Sequence, residues 1–184
     1  MKKNLYPLLF IFFVFTSTTI NAQVDIFVKI TNTNSIIEGE SLVKGYEKQI
    51  NANSFAQEEN NCVNCTVSGG GGAGKAKTSN FVFTMNLNKA IIGLKKALYT
   101  GDPLDKVVIS FVKINGGVPF LYYEITLQNV YVANITDAAS SEPNVNEIQF
   151  AAVKYSWKYW TQNPNGTIGQ PIQFTWDSST NTGG

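Results

Sequence analysis

Along Asn80–Leu87 an apolar side chain falls on every second residue: Phe81, Phe83, Met85 and Leu87 on one side, Val82, Thr84 and Asn86 on the other. Side chains of an extended strand alternate between two faces. A repeat of two therefore commits a segment to a sheet and rejects a helix, whose repeat is 3.6. The same rhythm recurs down the chain. Val24–Ile30 puts Val24, Ile26, Val28 and Ile30 on one face, and Gln49–Phe55 is a weaker, more polar version. Lys106–Ile114 is β-branched and apolar on both faces. Phe120–Ile135 carries Tyr123, Ile125 and Leu127 one way. Glu147–Trp160 sets Val153, Tyr155, Trp157 and Tyr159 against Lys154, Ser156 and Lys158, and Ile172, Phe174 and Trp176 alternate near the end.

One segment breaks the rhythm. Asn88–Thr100 has Ile91, Leu94 and Leu98 at helical spacing, Asn88 placed to cap its start and Gly101-Asp102-Pro103 to stop it. The fold class expected is all-β with one short α-helix. Strands apolar on both faces need cover on both, which a closed barrel or two packed antiparallel sheets provide, with another subunit as a further source of cover.

Residues 1–22 have a different character. Lys2 and Lys3 precede an apolar run, Leu5–Val14, and a small polar stretch ending at Ala22. That order is the pattern of a secretory signal peptide, and the run is shorter than the roughly 20 residues of a membrane span. The expected mature domain is residues 23–184, exported to the periplasm or the exterior, with no membrane association after cleavage. Turn chemistries punctuate it at Glu38-Gly39-Glu40, Asn115-Gly116-Gly117 and Asn163-Pro164-Asn165-Gly166. Gln57–Lys77 reads as a long, polar, glycine-rich loop, Ser140–Val145 as a shorter one, and Ser178–Gly184 as a frayed tail.

Composition removes whole classes of chemistry. Without Lys2 and Lys3 the 14 basic residues become 12, against 13 acidic, so there is no basic surplus to hold nucleic acid. The chain contains no histidine, which excludes Ser-His-Asp and Cys-His arrangements and any histidine-ligated metal. Its two cysteines form Cys62-Val63-Asn64-Cys65, too few for a structural zinc site. The motif precedes a glycine run instead of opening a helix, which disfavours thiol exchange and favours a stapled turn. Free or intermolecular thiols remain open.

Gly69-x-x-x-x-Gly74-Lys75 lacks only the last letter of a phosphate-binding loop. The residue after Lys75 is Ala76, which cannot hold Mg²⁺, and Phe81–Leu87 downstream is patterned as a strand, so no helix N-terminus faces a phosphate. Gly69, Gly70, Gly71, Gly72 and Gly74 instead suit a loop that bends or approaches another backbone. No cofactor is expected.

Several stretches, read in order, resemble the haemolysin-coregulated proteins, the tube-forming components of type VI secretion. They are the opening strand Asp25–Ile30, the turn Ile37-Glu38-Gly39-Glu40-Ser41, and Ile50–Phe55. Gly72-Ala73-Gly74-Lys75 matches the glycine-lysine loop before a strand and a helix, and Leu127, Val130 and Val132 match the long middle strand. The most specific part is C-terminal: Gln162, Asn165-Gly166, Gly169, Phe174, Trp176-Asp177 and Asn181 reproduce Q-x-x-D-G-x-x-G…F-x-W-D-x-x-x-N, with Asn165 where Asp is usual. The resemblance implies a β-barrel subunit, rings of six around a wide pore, and rings stacked into a tube. It also implies secreted effectors and other apparatus proteins as partners. It places Ala56–Lys77, with Cys62, Cys65, Gly69, Gly70, Gly71, Gly72, Gly74 and Lys75, at the ring–ring contact. The leader and the cysteine pair stand outside the family's pattern.

No catalytic constellation emerges. Glu38 with Glu40, Glu58 with Glu59, and Glu124 with Glu147 are the acids best placed to pair, and a solvated or interface role suits them. The lysines of Lys89–Lys96 read as a solvated helix face, and Lys154 and Lys158 as facing a pore or a neighbour. A rival reading is a secreted β-sandwich that binds a glycan or a cell surface through Tyr155, Trp157, Tyr159, Trp160 and Trp176.

Overall fold

The computed structural model describes residues 24–33, 36–63, 73–115, 118–138, 144–163 and 167–184. Residues 1–22, and the expectation of a signal peptide there, lie outside these. Ten strands and one helix follow in order: β1 (Val24–Thr31), β2 (Ile50–Ala56), β3 (Glu59–Val63), β4 (Ala73–Thr78), β5 (Phe81–Asn86), α1 (Ala90–Thr100), β6 (Leu104–Asn115), β7 (Val118–Ala138), β8 (Val145–Gln162), β9 (Ile168–Asp177) and β10 (Thr182–Gly183).

Strands β1, β2, β5, β8, β7 and β6 pair antiparallel around a closed circuit, the β7–β8 ladder making the last join. Closure leaves no free edge within the barrel. The alternation in the sequence becomes inside and outside: Phe81, Phe83 and Met85 of β5 are fully buried, facing Ile50, Ile125, Leu127, Ile148 and Phe150. Leu87, expected on the same face, lies past the end of β5 and is exposed, because the inward direction ends with the ladder.

Two strands outgrow the barrel. The first residues of β8, Val145–Phe150, pair with β5; later ones, Lys154–Gln162, pair with β9 along the same edge. Beyond the barrel, β7, β8 and β9 continue as an open outer sheet. Asn129, with φ 52°, sits in β7 where its ladders with β6 and β8 each skip a residue, a local kink in a long strand.

The second apolar face is covered partly from within. Phe27 and Ser110 point outward on β1 and β6 yet are buried, because the segment before β2 folds over them and Tyr46 stacks on Phe27 with centroids 4.4 Å apart. Gly39 holds that segment down: its N–H donates to Lys48 O at 2.8 Å, and a Cβ there would stand 2.2 Å from Gln49 O. Only glycine allows so close a backbone approach.

The same turn anchors α1. Glu40 Oε1 accepts from Lys89 N–H at 3.0 Å, Asn88 Oδ1 accepts from Ala90 N–H at 2.9 Å, and Glu38 pairs with Lys89 Nζ at 3.4 Å. Donors that a helix start leaves open are thus met, and negative charge lies at its positive end. The helix begins at Ala90, two residues later than the spacing suggested, with Asn88 still supplying a cap. It ends at Gly101, φ 71°, whose N–H donates to Ala97 O. Ala90, Ile91, Leu94 and Ala97 are buried, and Gly93 admits the buried Ile37, whose Cγ1 a Cβ at Gly93 would meet at 2.8 Å.

Two expectations need correction. Gln57–Lys77 is not a loop throughout: its flanks form the antiparallel pair β3–β4, from Glu59↔Thr78 to Val63↔Ala73, a β arm separate from the barrel sheet. The backbone of such a polar stretch satisfies its own donors and acceptors by pairing across the arm. The tail is not frayed either. β10 pairs with β9, Thr175 N–H donates to Gly184 O at 3.1 Å, and Gly184 N–H donates to Thr175 O at 3.2 Å.

Candidate functional site

The arm is tied at its base. Glu58 N–H donates to Ser79 Oγ at 2.9 Å and Ser79 N–H returns a bond to Glu58 O at 2.9 Å, so its two strands leave the barrel as one unit. Its near half is polar and exposed, with Gln57 Nε2 donating to Glu59 Oε1 at 2.7 Å and Asn60 Nδ2 to Glu58 Oε1 at 2.9 Å. Of the residues singled out in the sequence, Cys62 lies in β3, at the register shift between Asn61 and Val63, and Gly74 and Lys75 lie in β4. Gly74-Lys75 therefore opens no helix. Cys65, Gly69, Gly70, Gly71 and Gly72, and with them the pairing of Cys65 to Cys62, lie outside the described residues.

The acids do not make a catalytic pair. Glu38 is shared between Lys48 and Lys89, each at 3.4 Å, and Glu40 serves the helix start. Glu124 lies opposite Lys158 and Glu147 opposite Thr136, at opposite ends of one ladder. Among the described residues no three of His, Cys, Asp or Glu gather where they could hold a metal ion.

Asn165-Gly166 of the C-terminal motif lie outside the described residues, and its end, Trp176-Asp177 to Asn181, becomes a latch. Asp177 Oδ1 accepts from Ser179 N–H at 2.9 Å and from its hydroxyl, and Oδ2 pairs with Lys154 Nζ at 2.9 Å. The turn this nucleates passes through Asn181 at φ 57°, a left-handed position that asparagine tolerates. It returns the chain as β10, while Ser178 Oγ donates to Val153 O at 2.7 Å. The Ser179 hydroxyl first, and the Lys154 ammonium next, hold the Asp177 carboxyl well below the usual carboxylate range. Its ionised form then stabilises the latch at every pH above about 4, where an unfolded aspartate also ionises, and that stabilisation fades as pH falls through the lowered folded value. Asp177→Asn should therefore lower Tm at pH 7, and the gap to the parent should shrink as pH drops below about 4. A gap unchanged from pH 7 down to strong acid would refute the assignment.

Beside the arm base lies an aromatic cleft of about 770 Å³. One wall belongs to the outer sheet. Trp157 and Phe174 are direct cross-strand partners, stacked at 5.7 Å, and the stack continues to Tyr155 at 5.7 Å and Trp176 at 6.4 Å. Tyr123 and Phe55 both lean on Phe111, at 5.2 and 5.3 Å. The facing wall is the arm base, with Gln57, Glu59 and Thr78. Of the aromatics expected to act together, Tyr155, Trp157 and Trp176 do meet. Trp160, opposite Pro171, is on the other face of β8, and Tyr159 lies exposed beyond the cleft. Phe55 and Phe174, far apart in sequence, were not legible as partners.

Large apolar side chains stand in solvent elsewhere: Leu42 is 93% exposed, Tyr99 87%, Ile36 86%, Ile92 71% and Ile172 70%. Ile92 and Tyr99 flank Lys96 on the outer side of α1, so apolar side chains share the face with the lysines expected there. The signal was present: neither residue belongs to the Ile91–Leu94–Leu98 stripe.

A family model described as "Type VI secretion system effector, Hcp" matches residues 27–159. Solved structures share the fold. One described as a type six secretion system protein is 23% identical with TM-score 0.77, over 88% of this chain and 100% of that one. Hcp1 from Salmonella typhimurium is 20% identical with TM-score 0.72, over 89% and 99%. A type VI secretion system effector from Yersinia pestis is 24% identical with TM-score 0.65, over 83% and 99%. No curated protein sequence matches.

Proposed function

The chain belongs to the Hcp family of type VI secretion proteins, and from that premise we propose that it is a non-enzymatic structural subunit, exported, that associates into six-membered rings able to stack into a hollow tube. The observation that carries this reading is the family match over most of the barrel, joined to a subunit whose surface is unfinished. Ile92 and Tyr99 stand exposed together on one face of α1, and apolar side chains that share an exposed face mark contact surfaces. Leu42, before β2, and Ile172, on β9, lie on other elements, as a subunit with neighbours on more than one side requires.

The paired arm supports stacking. A stiff β ribbon loses less conformational freedom on docking than a loose loop of equal length. Copies that contact head to tail without closing generate a filament. Effectors and other apparatus proteins are the further partners in this reading.

Negative-stain images of residues 23–184, with light scattering on a sizing column, test it. Six-fold rings or tubes are the expected outcome. A strict monomer at high concentration would overturn the assembly and leave the fold alone.

A further inference from the structure

We propose that the aromatic cleft beside the arm base is a binding site for an organic cation: a positively charged nitrogen carried on a flat or aliphatic apolar body. Its volume of about 770 Å³ lies within the range of small-molecule sites, which combine mostly apolar walls with a few converging polar groups. Here the two kinds of surface are segregated. The outer sheet supplies Trp157, Phe174, Trp176 and Tyr123, and the arm supplies Gln57 and Glu59.

Charge chooses among ligands of this shape. Among the described residues Glu59 is the one carboxylate lining the cleft, and no lysine lines it, although basic and acidic residues are nearly balanced over the chain. Among the described residues no cation pairs with Glu59; its hydrogen-bond donor is Gln57 Nε2. Its field reaches the cleft: burial first, and the Glu59 charge second, raise the proton affinity of the Tyr123 hydroxyl. An anionic ligand would be repelled there. A neutral sugar would find its polar partners on one wall only. An ammonium on an apolar body meets both walls, the nitrogen at Glu59 and the body along the stacked rings.

The proposal does not depend on rings, so its test is run on residues 23–184 both assembled and dissociated. The probe is 2-phenylethylamine, followed by tryptophan emission, with 3-phenylpropanoate as the anionic isostere and maltose as a neutral sugar. Saturable binding of the amine, weaker binding of the anion, and weakening by added salt are expected. Glu59→Gln, at an exposed position that should not disturb folding, should weaken amine binding about threefold to fivefold, the size of a solvent-facing ion pair. Glu58→Gln, outside the lining, should leave it unchanged. Equal affinity for amine and anion, no effect of Glu59→Gln, or tighter binding of maltose would each overturn the proposal. Binding confined to the dissociated form would support it and show that assembly covers the cleft.

Discussion

Phe83→Ala should lower the melting temperature by roughly 6–20 °C. Phe83 is fully buried at the middle of β5, its ring 5.4 Å from that of Phe150 on the neighbouring strand, with Met85 and Phe81 inward above and below. Truncating a buried phenylalanine costs about 3–5 kcal/mol, part for lost transfer from water and part for the cavity left behind. A chain of this size shifts by roughly 2–4 °C per kcal/mol. The closed circuit gives the neighbours little freedom to collapse inward, since each strand is hydrogen-bonded on both sides. Phe174→Ala, at a half-exposed ring on the outer sheet, is the control and should cost far less. Both are compared by thermal unfolding at one protein concentration, because association would stabilise the folded state by mass action. Equal losses in the two variants would mean that the barrel interior is not the main source of stability.

Excising the arm should abolish tubes while sparing the barrel. Glu58 and Ser79 are already joined by two hydrogen bonds, and β2 and β5 pair up to Ala56↔Val82 just inside them. Replacing residues 59–78 by Asn-Gly would turn the base into an ordinary hairpin with the favoured two-residue loop. Melting temperature should then move by only a few degrees, since the removed strands lie outside the core. Rings should persist by light scattering and stacked rings should vanish from images. Tubes of unchanged length in the excised variant would mean that the arm does not join rings. Loss of rings as well would mean that it joins neighbours within one.

Much of the barrel was legible because a repeat of two is written residue by residue. Phe81, Phe83 and Met85 needed no tertiary knowledge to be placed inside. The arm was illegible for the opposite reason. Glu59–Val63 is largely polar and Ala73–Thr78 is made of small and polar residues, and such segments leave no apolar alternation to read. The tail was misread because a left-handed asparagine, Asn181, turns it back and two contacts to another strand hold it, Asp177 to Lys154 and Ser178 to Val153. The cleft unites Phe55 from β2 with Phe174 from β9, a meeting set by barrel closure and by no local pattern.

The order in which strands close the circuit has a consequence for the time course of folding. β1 finds its second partner only in β6, and β5 its second only in β8, so a chain appearing from its N-terminus has an incomplete wall until residue 150 has emerged. Contacts of such long sequence separation form slowly, because loop entropy is lost before pairing compensates it. A polypeptide built this way stays threadable for most of its length, and its early strands carry unpaired edges meanwhile. If the proposed export holds, late closure keeps the chain threadable during passage and sets the far side as the place where the proposed ring first assembles.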